Sequence, residues 1–245
     1  MNDAPSLDAD LVAELVPTGT LRVVINLGNP VLSHGTPDNP GGVTVGIAEE
    51  LGRRLGVPLE LTCVDAARLS AAALAAGEAD LAFLAIEPAR EKDAIFSPAY
   101  VVIEGVYVVP GDADIQGSDQ VDRPGTTIGV KEGSAYDLYL TRTIQQAEIV
   151  RGTDGTDVFV ERGLDVAAGI RQPLTRFVGD GSRYRILEPA FMQIRQAVGI
   201  PRDRSTRAAD FVTAFVSDLV ASGFIRTKLE QAGQDPNLVA TSAPS

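Results

Sequence analysis

The chain has no tryptophan, two methionines, one cysteine and one histidine among its 245 residues. A single cysteine excludes an intrachain disulfide, and one cysteine with one histidine is too few for the usual zinc site. Cys63 lies in an apolar, strand-like stretch, residues 59–64, where a small buried thiol is expected rather than a nucleophile. His34 sits in Ser-His-Gly-Thr-Pro-Asp-Asn-Pro-Gly-Gly, a solvated loop by composition, so a histidine-based triad would depend on that one residue. Neither a Cys/His metal site nor an ordinary histidine-based triad is therefore expected. Basic residues are also scarce: 21 Lys and Arg stand against 33 Asp and Glu, a formal net charge of −12. That balance counts against nucleic acid and anionic membranes as partners, because phosphate contact needs clustered cations. It also supplies no long-range pull on anionic ligands, so a carboxylate site would have to be a local positive pocket. No segment approaches the roughly 18 apolar residues of a membrane span. The N-terminal stretch carries Asp3, Asp8, Asp10 and Glu14 and lacks the basic start and apolar run of a secretory leader. The chain as written is thus expected in the cytoplasm, and in the periplasm or outside the cell only if a leader has been removed.

What is present is ordinary for a globular chain, with 44% hydrophobic and 22% charged residues. The length suits one large α/β domain or two lobes of about 100 to 150 residues. Residues 20–26 read as a strand, 45–55 as a helix with Ile47, Leu51 and Leu55 on one face, and 59–64 as a second strand. A helix over 66–76 and a strand over 81–85 follow, and this alternation predicts a parallel sheet with right-handed crossovers. Turn residues crowd the region from 110 to 125. A second set begins there: strands at 127–130, 149–150, 164–168 and 184–187, with helices at 136–146 and 154–162. Residues 192–200 have the length to cross back, and 206–223 form an amphipathic helix followed by another at 224–232. The expected organisation is lobe 1 from 12–105 plus 195–240, lobe 2 from 106–194, and flexible ends at 1–11 and 241–245. Two crossings would make a double hinge.

Residues 80–100 carry the most chemistry. Asp80-Leu81-Ala82-Phe83-Leu84-Ala85-Ile86-Glu87-Pro88-Ala89-Arg90 is an apolar strand that ends in an arginine, and Phe96-Ser97-Pro98-Ala99-Tyr100 follows it. A guanidinium just past the carboxyl end of a strand suits a bidentate grip on a carboxylate; a surface arginine on a loop is the alternative. The stretch resembles the extracellular solute-binding proteins of the polar amino-acid uptake family, family 3. The resemblance extends to Leu21-Arg22-Val23 with Asn29-Pro30, to Val45-Gly46-Ile47-Ala48-Glu49-Glu50-Leu51, to Gly129-Val130-Lys131-Glu132-Gly133-Ser134-Ala135, and to the C-terminal helices. It is greatest with a subgroup that lacks a signal sequence. It implies a two-lobed, type II periplasmic-binding-protein-like α/β fold, each lobe a mostly parallel sheet flanked by helices, with a ligand cleft between lobes.

Carried over residue by residue, Arg90 matches the arginine that takes a ligand's α-carboxylate. Ser134, with Gly133 and Ala135, matches the hydroxyl at the start of a lobe-two helix, where a plain N-cap is the other reading. Asn26 and Asn29 match first-loop ligand contacts, although a turn role suits Asn29 before Pro30 equally well. Two departures stand out. Ala85 and Glu87 replace the hydroxyls usually found ahead of the arginine. Gly169, Ile170 and Arg171 occupy the place of the acid that holds an α-ammonium. The ligand would then lack that ammonium or carry a second anionic group for Arg171. Glu104, inside the apolar run 101–109, would face the cleft, pair with Arg90, or simply face solvent. The resemblance implies a noncatalytic, monomeric receptor for a small carboxylate or amino acid, serving an ABC permease or acting as a cytoplasmic relative. The alternatives are a cyclohexadienyl-dehydratase-like enzyme and a ligand-sensing module.

Overall fold

The computed structural model describes residues 7–241. The chain divides into two units, one running up to Val102 and resuming at Arg195, the other formed by Ile103–Ile194. The expected flexible ends are only partly within the described residues: 1–6 and 242–245 lie outside them. At the start, a helix already begins at Ala9, with Leu11 buried.

The first unit opens with α1 (Ala9–Leu15), β1 (Leu21–Asn26), a small hairpin of β2 (His34–Thr36) and β3 (Asn39–Gly41), and α2 (Val43–Leu55). It continues with β4 (Leu59–Val64), α3 (Ala67–Ala75), β5 (Leu81–Ala85) and β6 (Ala94–Phe96). β1 pairs in parallel with β4 and β5, so all three strands end on one edge. As the spacing predicts, Ile47, Leu51 and Leu55 of α2 are buried. Val24, Leu74, Ala79, Ala82, Leu84 and Ala94 form a core cluster under α3. At the opposite edge Asp80 is fully buried and accepts from the Arg22 backbone N–H at 3.0 Å, from Nε at 3.2 Å and from Nη2 at 2.7 Å.

β7 (Val101–Pro110) carries the chain into the second unit, which holds β8 (Thr127–Lys131), α4 (Ala135–Thr143), β9 (Glu148–Gly152), α5 (Gly155–Arg162), β10 (Val166–Ile170) and α6 (Arg171–Val178). β11 (Tyr184–Pro201) returns it, and α7 (Thr206–Ala221) and α8 (Phe224–Gln231) complete the first unit. β8 lies parallel to β9 and β10, and β10 is antiparallel to β7, with Ile170 opposite Gly105. Val106, Val108, Phe159, Ala167 and Leu174 form this unit's core cluster. The α5 start packs so closely on the sheet that a Cβ on Gly129 would come 2.9 Å from the Gly155 carbonyl oxygen.

Four elements differ from the sequence reading. The loop after β1 contains the β2–β3 hairpin, β6 is present, α6 stands where no helix is expected, and β11 is one strand rather than two short ones. Pro40, Pro173 and Pro189 lie in three of them, and proline is a poor local signal for regular structure.

Tyr100 is completely buried, edge-on to Phe83 at 6.0 Å between ring centroids. Its hydroxyl has no hydrogen-bond partner among the described residues, and burial pushes its pKa far up. An unsatisfied buried hydroxyl destabilises the fold. Tyr100→Phe should therefore be neutral or stabilising by about 1 kcal/mol. A urea midpoint lowered in the variant would show that the hydroxyl does contribute a bond.

Candidate functional site

In a parallel α/β sheet, functional groups gather on the loops beyond the carboxyl ends of the strands. In the first unit that edge carries the loop after Asn26 and the turn after Ala85. Both asparagines are committed to turn geometry. Asn26 Oδ1 accepts the Gly28 N–H at 2.9 Å, and its carbonyl accepts from the Ser33 hydroxyl. Asn29 is buried; its Oδ1 accepts from Val31 N at 3.3 Å and its carbonyl from Leu32 and Ser33. These bonds shape the loop and supply the turn role that the residue before Pro30 suggests.

Arg90 is 6% exposed, which removes the surface-arginine alternative. It sits in the turn between β5 and β6 and donates from Nη1 to the Ala85 carbonyl at 3.1 Å. Burial lowers its pKa to about 10, and the negative charge of Glu87 opposes that shift. The guanidinium therefore remains charged at neutral pH. Glu87 is itself buried at 3% exposure. The rest of the motif supports this turn: Ser97 Oγ donates to the Pro98 carbonyl at 2.7 Å and accepts from Val198 N at 3.1 Å. Phe-Ser-Pro-Ala-Tyr thus anchors the segment after the arginine to β11.

In the second unit, the ends of β8 and β10 lie on one edge because the strands are parallel. Gly133 has a φ of +67°, a conformation other residues adopt at a cost, and it turns the chain into α4. Ser134 caps that helix by accepting the Asp137 N–H at 3.0 Å, and Ala135 is the buried first helical residue. Asp137 reaches back to accept the Gly133 N–H at 2.8 Å and pairs with Arg151 Nε at 3.0 Å. The helix start therefore already holds a carboxylate from its own chain. The Ser-x-x-Asp spacing is a capping-box signal and makes Asp137 detectable from sequence.

β10 ends in Gly169 and Ile170, and Arg171 opens α6. Its Nε bonds to Glu104 Oε2, while Nη1 and Nη2 bond to Glu188 Oε1 and Oε2 at 2.7 and 2.8 Å. Glu104 is thus partnered by Arg171. Arg171 holds the Glu188 carboxyl below the usual carboxylate range, and the pairing raises the pKa of Arg171 in turn. Glu188, which has no local signal near Arg171 in sequence, completes this group from β11. Elsewhere Cys63 is half-buried, with burial raising its pKa, and His34 is exposed on β2. Among the described residues no group of three or more His, Cys, Asp or Glu is placed to hold a metal ion, and no single helix is long and apolar enough to cross a membrane.

Two α/β units joined by two strand crossings define the two-lobed, type II periplasmic-binding-protein-like fold. The chain belongs to the bacterial extracellular solute-binding proteins, family 3, which it matches over residues 21–232. It is 31% identical over 139 residues to the virulence sensor protein BvgS of Bordetella pertussis, covering 56% of this chain but only 11% of that protein. Among solved structures it resembles the P235GK mutant of ArgBP from T. maritima, with 22% identity, 91% and 99% coverage and a TM-score of 0.73. It also resembles the ancestral amino-acid-binding protein AncCDT-1, a precursor of cyclohexadienyl dehydratase, with 19% identity, 90% and 98% coverage and a TM-score of 0.71.

Proposed function

We propose that the chain binds a small carboxylate or amino-acid-like solute without chemically altering it, Arg90 taking the carboxylate. One observation carries this reading: a charged guanidinium, almost completely buried, on the carboxyl edge of the first unit's parallel sheet. Such a group is desolvated in advance and held by its turn, so a ligand carboxylate loses little in ordering it. The amino-acid-binding names of ArgBP and AncCDT-1 support the solute class. The bound state would serve an ABC-type permease. The likeness to a virulence sensor protein supports a second setting, in which binding is the input to a signalling protein.

A dehydratase-like reaction needs a cleft acid able to give up a proton to a leaving group. Glu87 and Glu104 are the acids to consider for that task; Glu87 lies where its charge acts on Arg90, and Glu104 is bonded to Arg171. The test is a thermal-shift panel of the common amino acids, dicarboxylates and aromatic acids, with prephenate and arogenate followed for turnover. A stabilising hit that is recovered intact is the expected result. Turnover of either acid, or no hit among carboxylates, sinks the proposal.

A further inference from the structure

We propose that a pocket on the first unit binds a small zwitterion, Lys228 taking its anionic end and Glu49 its cationic end. The pocket lies where α8 packs on α2, with His34 of the β2–β3 hairpin at its side. Its volume is about 150 Å³, a size that holds a molecule of about six heavy atoms. Gly42, Gly46 and Glu49 follow one another at helical spacing at the start of α2, and Lys228 and Gln231 do so on α8, so each set shares one face. All these residues belong to the first unit, and none belongs to the turn that holds Arg90. The site is therefore separate from the one proposed above and does not depend on it.

Two glycines set the course of the side chains. The Lys228 stem lies across Gly46, where a Cβ would come 2.9 Å from Cδ and 2.8 Å from Cε. The ammonium beyond it stands 5.4 Å from the centroid of the Phe224 ring, within cation–π range. In the hairpin the His34 imidazole lies over its cross-strand partner Gly41, where a Cβ would come 2.6 Å from Cε1. Side chains routed in this way lose less on binding than free ones. Their polar ends are not taken up by the chain itself. Lys228 and Glu49 form no ion pair with each other or with another described residue, and the His34 imidazole and Gln231 carboxamide have no hydrogen bond among the described residues. One unpaired surface charge means little, but two of opposite sign on the walls of one pocket impose a charge pattern. A lone anion meets Glu49 and a lone cation meets Lys228, each at a cost. A molecule with both charges satisfies both walls, and His34 and Gln231 can each donate a hydrogen bond to it or accept one.

His34 is the one histidine of the chain, so its imidazole NMR signals report on this pocket without ambiguity. The full chain is titrated at constant pH with glycine, β-alanine and γ-aminobutyrate, which differ in the distance between their charges. Acetate and methylammonium, which carry one charge each, are the controls. A saturable movement of the His34 signals is expected with at least one of the three zwitterions. Acetate and methylammonium should bind about 3-fold more weakly or less, the size of a partly exposed charge contact. E49Q and K228Q should each weaken the zwitterion by about the same factor or more. Solute held at Arg90 would reach His34 only indirectly and would not depend on these two side chains, so the variants tell the two sites apart. No movement with any zwitterion, equal affinity for a single-charge probe, or an unchanged response in either variant overturns the proposal.

Discussion

An Arg90→Ala variant will lose the ligand-dependent rise in melting temperature for every carboxylate that stabilises the wild-type protein. A ligand at about 100 times its dissociation constant adds roughly 2.7 kcal/mol to the folded state, so the loss is easily read. The same substitution will lower the stability of the ligand-free protein, because it removes the cation beside the buried Glu87. Removing a cation whose charge acts on a buried carboxylate is destabilising. The two effects are separable. Arg90→Ala combined with Glu87→Gln removes both charges and should recover part of the stability, yet its melting temperature should still ignore the ligand. A ligand response preserved in either variant removes Arg90 from the site.

Asp80→Ala will destabilise the fold strongly and leave binding alone. The carboxylate is fully buried and accepts three bonds from Arg22, one from its backbone and two from its guanidinium. It clamps the start of β5 to the start of β1, at the end of the sheet opposite Arg90. Its loss leaves the Arg22 donors short of an acceptor, with an expected cost of about 3–5 kcal/mol. Asp80→Asn keeps one acceptor and should cost less, about 1–3 kcal/mol. Urea denaturation measures both, with solute affinity of the folded fraction expected to stay unchanged. A shift below about 1 kcal/mol for the alanine variant would contradict the clamp.

Much of the scaffold is legible along the chain because local periodicity and burial coincide. Ile47, Leu51 and Leu55, and later Val212, Phe215, Val216 and Leu219, recur at helical spacing and are buried in α2 and α7. The hairpin, α6 and the full length of β11 are not legible, since each is held by pairing or packing that its own residues do not announce. The site divides in the same way. Position on a motif leads to Arg90 and Ser134. What those residues and Arg171 are paired with is another matter. Glu188 reaches Arg171 from a different strand, and no spacing rule connects position 171 to position 188. The sequence leaves open a ligand that lacks an α-ammonium or one with a second anionic group for Arg171, and it gives no sign that the Arg171 fork is filled by Glu188.

The chain order of the sheet also sets an order of assembly. The second unit is one unbroken stretch, Ile103–Ile194, whereas the first needs residues from Arg195 onward. Ala85 finds its antiparallel partner only at Gln196, and Asp93 accepts from Arg202 N. During synthesis the later-made unit therefore has all its strands first. The earlier-made half waits with one flank of β5 uncovered, a row of open backbone groups that invites pairing with another chain. Anything that slows elongation between residues 103 and 195 lengthens that exposure, so yield of soluble protein is tied to translation speed across the middle of the message.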